Sequence, residues 1–467
     1  MDAQGQDATP IAHVMPPDLE PGATDAAEAA ALATPQFEPL APGFRRYALT
    51  LLMLIYVLNF LDRQVVSILA EPIKRDLGLA DWQLGMMTGL AFAVLYTILG
   101  LPIARVAEKA DRPFIIGGAV AVWSGFTVAC GMAQNFTHLI LARIGVGVGE
   151  AGCTPPALSL ISDYSPREKR ASAIAFYMLG APVGAVLGLV IGGLVADAYG
   201  WRAAFMAVGA PGLVFAAAAA FTLKEPRRAL KAAQVAAAAA APSLGATLKE
   251  LASKRAYGFI VAGVTLISFT SYGAQAFTAS FFFRNHGPEL AELAARFGLK
   301  SAGLLGISLA LVSGLSGIVG TLVGGRVADH FGKTDMRAYT IIPVVGALCG
   351  LPFSIAALNA PTYLMALGLL IAPGMLNAMW LGPAYGAVQG LVQPNSRATA
   401  TAVMLFIANL IGLGFGPVAV GLISDALTPA FGDAAIKWAL MSMAVLVLPC
   451  AACFWTAGRT IRTDIVS

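Results

Sequence analysis

Leu141-Ala142-Arg143-Ile144-Gly145-Val146-Gly147-Val148-Gly149-Glu150-Ala151-Gly152 lies inside an apolar run from Phe136 to about Tyr164. An arginine and a glutamate placed there sit in hydrocarbon, where each costs several kcal/mol unless it is paired or faces water. Seven residues separate them, two helical turns or about 11 Å of rise, so both lie on one helix face. The small residues around them let a neighbouring backbone come close. A tightly packed helix that carries so costly a pair marks a functional site, and the rest of the chain reads as machinery around it.

The bulk numbers agree with a membrane setting. The chain has 467 residues, 58% hydrophobic and 12% charged, with mean hydropathy +0.74. A soluble domain carries roughly 25% charged residues. The net charge of +4 is dispersed in loops, which argues against nucleic acid as a partner. The five cysteines all fall in apolar runs. Cys450 and Cys453 have a metal-like spacing but no polar company, so they read as core residues. His13, His138, His286 and His330 avoid the middle of apolar runs. No metal site, cofactor or histidine relay is expected.

Residues 1 to 43 are rich in Pro, Ala, Asp and Glu without periodicity, and read as a disordered tail rather than a secretory signal. Twelve apolar spans follow, each near the ~20 residues needed to cross a bilayer. Their expected limits are 46–71, 83–107, 114–133, 136–164, 169–198, 201–223, 256–284, 302–328, 337–358, 361–390, 396–426 and 434–458. The chain thus divides into a first six-helix bundle (44–223), a basic linker (224–255), a second bundle (256–458) and a tail (459–467). The linker carries Lys224, Arg227, Arg228, Lys231, Lys249, Lys254 and Arg255 around an alanine run, and is expected to lie partly helical on the membrane surface. Loops on the side of the termini hold the large majority of the 30 Lys and Arg residues. Both termini are therefore expected in the cytoplasm, in a multi-pass protein of the cell membrane.

The two halves repeat. Arg105-Val106-Ala107-Glu108-Lys109-Ala110-Asp111-Arg112 matches Arg326-Val327-Ala328-Asp329-His330-Phe331-Gly332-Lys333. Arg170-Ala171-Ser172-Ala173 matches Arg397-Ala398-Thr399-Ala400. Gly193-Leu194-Val195-Ala196-Asp197 matches Gly421-Leu422-Ile423-Ser424-Asp425. The offsets run from 221 to 228 positions. Two six-helix halves around a midplane site are a transporter plan, and the first, fourth, seventh and tenth spans are expected to line the cavity.

The segments after the second and eighth spans resemble the signature loop of the major facilitator superfamily. The second copy keeps Gly325, Asp329, Gly332 and Lys333. The first departs from it at Ala104, Glu108, Lys109 and Asp111. Gly200-Trp201-Arg202-Ala203-Ala204-Phe205 resembles a frequent opening of the superfamily's sixth helix. Within the superfamily, Asn59-Phe60-Leu61-Asp62-Arg63, the Gly149–Pro155 stretch leading to Leu160–Pro166, and Leu179–Gly184 resemble the Spinster-like lipid transporters. Organic-anion symporters share the Asn-x-x-Asp-Arg element. The resemblance implies an all-α fold of twelve transmembrane helices in two pseudo-repeats, a secondary transporter working by alternating access, and a lipid substrate. It also implies a cytoplasmic gate built from Glu108, Lys109, Arg112, Arg170, Asp329, Lys333 and Arg397.

The residues themselves suggest the chemistry. Asp62 falls about 6 Å, and Arg143 about 10 Å, below the outer surface of a ~30 Å core, so Asp62 or Arg63 can meet Arg143. Glu150 falls near the midplane. Asp62 and Arg63 are adjacent, hence about 100° apart, and cannot both point the same way. Two carboxylates and two arginines are neutral when ionised, and protonating one carboxylate leaves a site able to hold an anion. Arg143 and Arg63 are the expected anion ligands, with Glu150 and Asp62 as proton-coupling groups. The alternative is a structural ion network joining the first and fourth helices. Gly180, Gly184, Gly188 and Gly192 recur every fourth residue, as tight helix packing requires. Asn59, Tyr272, Gln275, Asn377 and Trp380 are the expected uncharged cavity lining. The function expected is proton-coupled transport of an amphiphilic anion, such as a lysophospholipid or sphingoid phosphate, by a monomer. Symport of small organic anions is the alternative. An intramembrane lipid enzyme is disfavoured, because paired deep aspartates and a histidine beside a buried serine are both missing; a binding sensor on the same fold remains a further class.

Overall fold

The computed structural model describes residues 41–226, 244–393 and 396–464, so the expected disordered tail lies outside the described residues. Twelve helical segments cross the molecule. We number them α1 (Pro42–Leu77), α2 (81–109), α3 (Arg112–Gly131), α4 (136–164), α5 (167–199), α6 (201–222), α7 (Arg255–Asn285), α8 (Ser301–Gly332), α9 (Ala338–Leu358), α10 (Tyr363–Leu391), α11 (397–431) and α12 (435–464). Nine unbroken stretches among the described residues are long and apolar enough to span a membrane. Two of these stretches each contain two spans. One turns at Gly200 (φ 86°), between α5 and α6, and the other at Gly432 (φ 54°), between α11 and α12. Only a residue without Cβ takes that backbone conformation at little cost. The twelfth span is α4, which a turn at Gly152-Cys153 splits into two helices too short to count alone.

Local signals place the ends. Pro42 occupies the first turn of α1, and Gly78 in the left-handed conformation stops it. Asp111 and Asn135 cap α3 and α4 by accepting the Phe114 and His138 amides. α1 runs six residues past its expected end at 71, with Pro72 inside it. α12 continues to Asp464, whose carboxylate accepts the Ala256 amide at the start of α7. Part of the linker, Leu244–Ser253, is helical and docks on the second half: Glu250 accepts from the Gln393 amide and the Ser396 hydroxyl.

The sequence repeat is visible in the contacts. Arg170 Nε donates to the Ser162 carbonyl, and Arg397 Nε donates to the Gln389 carbonyl, each eight residues back. The glycine row of α5 packs on α1: a Cβ at Gly184 would overlap the Val57 carbonyl oxygen, and one at Gly188 would lie 2.6 Å from that of Leu61. This contact accounts for the four-residue spacing, and it fixes the part of α1 that carries Asp62 and Arg63. Among the described residues, the hydrogen bonds that join the two halves all lie on the face opposite the termini, at the ends of α1, α2, α5, α7, α8 and α11.

Candidate functional site

Two ion pairs join α1 to α4. Arg143 NH1 donates to Asp62 Oδ2 at 3.0 Å, and Thr127 of α3 donates to Asp62 Oδ1 at 2.6 Å. Arg63 meets Glu150 Oε2 through Nε at 2.8 Å and NH2 at 2.7 Å. The sequence left open which of Asp62 and Arg63 reaches Arg143. Because the two neighbours point about 100° apart, each reaches a different partner on α4.

The two pairs differ in access. Asp62, Arg143 and Glu150 are each 1% exposed. The Arg63 side chain is 19% exposed. Its guanidinium carbon sits 4.5 Å from the Tyr96 ring centre, 4.7 Å from Phe92 and 5.2 Å from Phe60. Aromatic faces stabilise a cation without neutralising it. Glu150 Oε1 and Arg143 Nε are buried without a hydrogen-bond partner. Such groups are costly, and they mark places where a proton or a ligand changes the balance.

Glycines on α4 create this closeness. A Cβ at Gly147 would lie 2.5 Å from the Phe92 carbonyl oxygen, and one at Gly149 would lie 2.5 Å from the Trp123 nitrogen. α2 and α3 therefore approach α4 nearly backbone to backbone, and water is excluded from three of the four charges.

A cavity of about 340 Å³ opens beside Arg63. Its charged wall is Arg63 with the edge of Arg143, and its neutral wall includes Tyr272 and Gln275 of α7. Of the four helices expected to line the cavity, α1, α4 and α7 contribute to this one through Arg63, Arg143 and Tyr272. α2, α5 and α11 contribute Phe92, Pro182 and Leu413, whereas α10 contributes nothing to this wall. Asn377 and Trp380 belong to α10, which packs against glycines of α8; a Cβ at Gly324 would lie 2.5 Å from the Met379 carbonyl oxygen. Asn59 is also displaced from its expected place. It is 1% exposed, because it shares the buried face of Asp62, three residues on, rather than the cavity face of Phe60 and Arg63. Both α2 and α11 widen into π-helical turns, at Met86–Leu90 and Ala408–Leu413, where they border the cavity.

Among the described side chains, no hydrogen bond or ion pair of the expected gate residues joins the halves. Arg112 is fully buried and binds Asp163 and Ser159 of its own half and Glu225 at the start of the linker. Arg170 and Arg397 bind backbone carbonyls in their own halves, Asp329 contacts Tyr339, and Lys333 is exposed. The side chains of Glu108 and Lys109 lie outside the described set. The halves are joined instead on the opposite face, where Arg284 of α7 binds Glu71 at 2.8 Å and Asp81 at 2.7 Å. Sequence reading missed this cluster. Its one visible sign was the matched aspartates, Asp197 and Asp425, that close the repeated Gly-x-x-x-Asp segments.

Two six-helix repeats, a cavity between them and charges gathered on one wall define a membrane transporter of solutes. The profile of the Major Facilitator Superfamily matches residues 52–417, and the chain belongs to that superfamily. An MFS-type efflux pump of Mycolicibacterium smegmatis is 32% identical over 420 residues, which cover 90% of this chain and 94% of that protein. A hexuronate transporter of Bacillus subtilis is 27% identical over 381 residues, 80% of this chain and 86% of that one. The crystal structure of a bacterial homologue of the human lysosomal transporter Spinster, inward-facing and unoccupied, gives a TM-score of 0.81 at 30% identity. It covers 92% of this chain and 100% of that one.

Proposed function

We propose that the protein is a proton-coupled secondary transporter of the cell membrane that moves an amphiphilic anion by alternating access, as a monomer with both termini in the cytoplasm. The observation that carries this reading is the Arg63–Glu150 pair. Arg63 is the cation with access to the cavity, and the carboxylate that holds it keeps one oxygen unpartnered. When Glu150 takes a proton it releases Arg63, and the four-charge cluster becomes positive by one. An anionic headgroup then replaces the carboxylate on the guanidinium. Proton and anion each favour the binding of the other, by the same factor in both directions. Arg143, paired with Asp62, supports the site from behind. With the halves joined opposite the termini, the conformation described corresponds to the inward-facing state, as in the Spinster homologue.

A headgroup suits a cavity of this size, and the Tyr272 and Gln275 wall offers uncharged hydrogen-bonding groups beside it. Small organic anions are the second reading, favoured by the same modest volume and by the hexuronate transporter among the relatives. Thermal-shift titration of the purified protein separates the two. Lysophospholipids should stabilise it more than short-chain acids of equal charge. The shift should grow with chain length, since each buried CH₂ contributes about 0.8 kcal/mol. Stabilisation independent of chain length would transfer the assignment to small anions, and an equal response to neutral lipids would remove the anion from it.

A further inference from the structure

On the face opposite the termini, the two halves are joined by one motif used twice. Asp197, near the end of α5, accepts the Ala302 amide through Oδ1 at 3.1 Å and the Gly303 amide through Oδ2 at 2.7 Å, at the start of α8. Asp425, near the end of α11, accepts the Asp81 amide through Oδ1 at 3.0 Å and the Trp82 amide through Oδ2 at 2.8 Å, at the start of α2. Each aspartate thus caps the first helix turn of the opposite half, where unpaired amides and the helix dipole favour a carboxylate.

The backbones below the caps are seated the same way. A Cβ on Gly193 would overlap the Ala302 carbonyl oxygen, and one on Gly421 would overlap that of Asp81. One turn deeper, Gly306 meets the Leu189 carbonyl and Gly85 meets the Pro417 carbonyl. The two seams are pseudo-symmetry mates, element by element. They differ in their added ties: Asp81 also binds Arg284, Lys74 and Ser424, while on the other seam Lys300 donates its amide to Asp197 Oδ2 at 3.1 Å and its ammonium to the Asp197 carbonyl at 2.6 Å.

We propose that Asp197 and Asp425 are paired gating residues whose release from the starts of α8 and α2 opens the central cavity toward the face opposite the termini. Each cap ties one half to the other, so it stabilises only the arrangement in which that face is closed. A cap made within one half would stabilise both arrangements equally and shift nothing. The glycines set how closely the seam shuts, and the caps hold it shut. Opening must break both caps, because the two seams flank the same cavity. The Arg284 cluster adds a lock on the α2–α11 side, and the Lys300 ammonium on the Asp197 carbonyl adds a smaller one on the α5–α8 side.

The inference rests on the alternating-access reading, and sided labelling of a cavity cysteine tests the two apart. The reporter is Gln275→Cys, with Cys349→Ala and Cys453→Ala to remove the less buried native thiols, read in sided membrane vesicles with an impermeant maleimide. The ratio of labelling from the face opposite the termini to labelling from the terminal face should rise about fivefold for Asp197→Ala or Asp425→Ala, and about twenty-five-fold for the double variant. Gly193→Ala and Gly421→Ala should shift the ratio in the same direction by forcing the seams apart. Gly209→Ala is the control. Its Cβ would lie 2.8 Å from the Ser124 carbonyl oxygen inside the first half, so it should lower the thermal midpoint and leave the ratio unchanged. If the reporter changes sides with substrate but the cap variants only lower the midpoint, the aspartates are structural and the inference is wrong while alternating access stands. If neither the parent nor any variant is labelled from the far face, alternating access fails and the gating role fails with it.

Discussion

Arg63 and Glu150 meet at one carboxylate oxygen in a 2.7 Å ion pair whose cation side chain is 19% exposed and whose anion side chain is fully buried. The cavity thus reaches the arginine, and the Glu150 carboxylate lies behind it. Glu150→Gln keeps the size of the side chain and mimics the protonated state. The variant should bind substrate at least as tightly as the parent. Its uptake into proteoliposomes should lose its response to a pH gradient, which for one coupled proton supports up to about tenfold accumulation per pH unit. An unchanged response in Glu150→Gln would exclude Glu150 as the carrier. Asp62→Asn should behave differently. It leaves Arg143 buried without its counter-charge, at a cost of roughly 3–5 kcal/mol, and should weaken folding, binding and transport together.

The arginines should separate in the same manner. Arg63→Lys keeps a charge but loses the planar face that stacks on Phe92 and Tyr96 and the paired donors directed at Glu150. Equilibrium binding of the anion should weaken about tenfold with little change in thermal midpoint, about 1.4 kcal/mol confined to the ligand. Arg143→Lys should instead lower the midpoint, because Arg143 is enclosed with Asp62 and Thr127 and cannot relax into solvent. The opposite pattern would make Arg143 the residue that touches substrate.

Much of the site could be read in the sequence, because charge in hydrocarbon is rare and helix geometry is strict. The seven-residue spacing of Arg143 and Glu150 placed both on one helix face, and the adjacency of Asp62 and Arg63 meant that they could not both point the same way. What could not be read is which face of a helix meets which neighbour. Asn59 and Asn377 are polar residues in apolar spans, a pattern that fits a cavity wall and a buried helix contact equally well. The joint opposite the termini was hidden for another reason. Asp425 and Asp81 are 344 positions apart, and a cap made across two domains leaves no local periodicity. The repeat carried Asp197 and Asp425 into view as a pair, but not the helices they cap.

Outside the membrane spans, Asp335 is held below the usual carboxylate range, first by the Arg337 amide and then by Arg462. Its contribution to stability is therefore present above the ordinary carboxylate pKa, and is lost as pH falls through the lower folded value. Thermal midpoints of the parent and Asp335→Asn should differ slightly at neutral pH and converge in acid, below about pH 4. Proton-driven uptake near neutrality should be the same in both. A change in that uptake would show that this exposed pair takes part in coupling.

Gly149 tests whether the helix packing that buries the cluster also determines its chemistry. A Cβ there would stand 2.5 Å from the Trp123 nitrogen and 2.8 Å from Trp123 Cβ. The nearest atom belongs to backbone, which cannot move without shifting α3. Gly149→Ala should cost about 1–3 kcal/mol of stability, as overpacking does in a filled core. It should also displace Glu150, the next residue, from Arg63. Because Thr127 on the same helix holds Asp62, both ion pairs should loosen at once, with uptake falling more steeply than the thermal midpoint. Gly118 on α3 provides the comparison, since a Cβ there meets no atom within 4 Å. Gly118→Ala should leave both measurements near those of the parent. If Gly149→Ala lowers the midpoint but transports normally with its pH response intact, the cluster tolerates movement of α3 and close packing is not what sets its function.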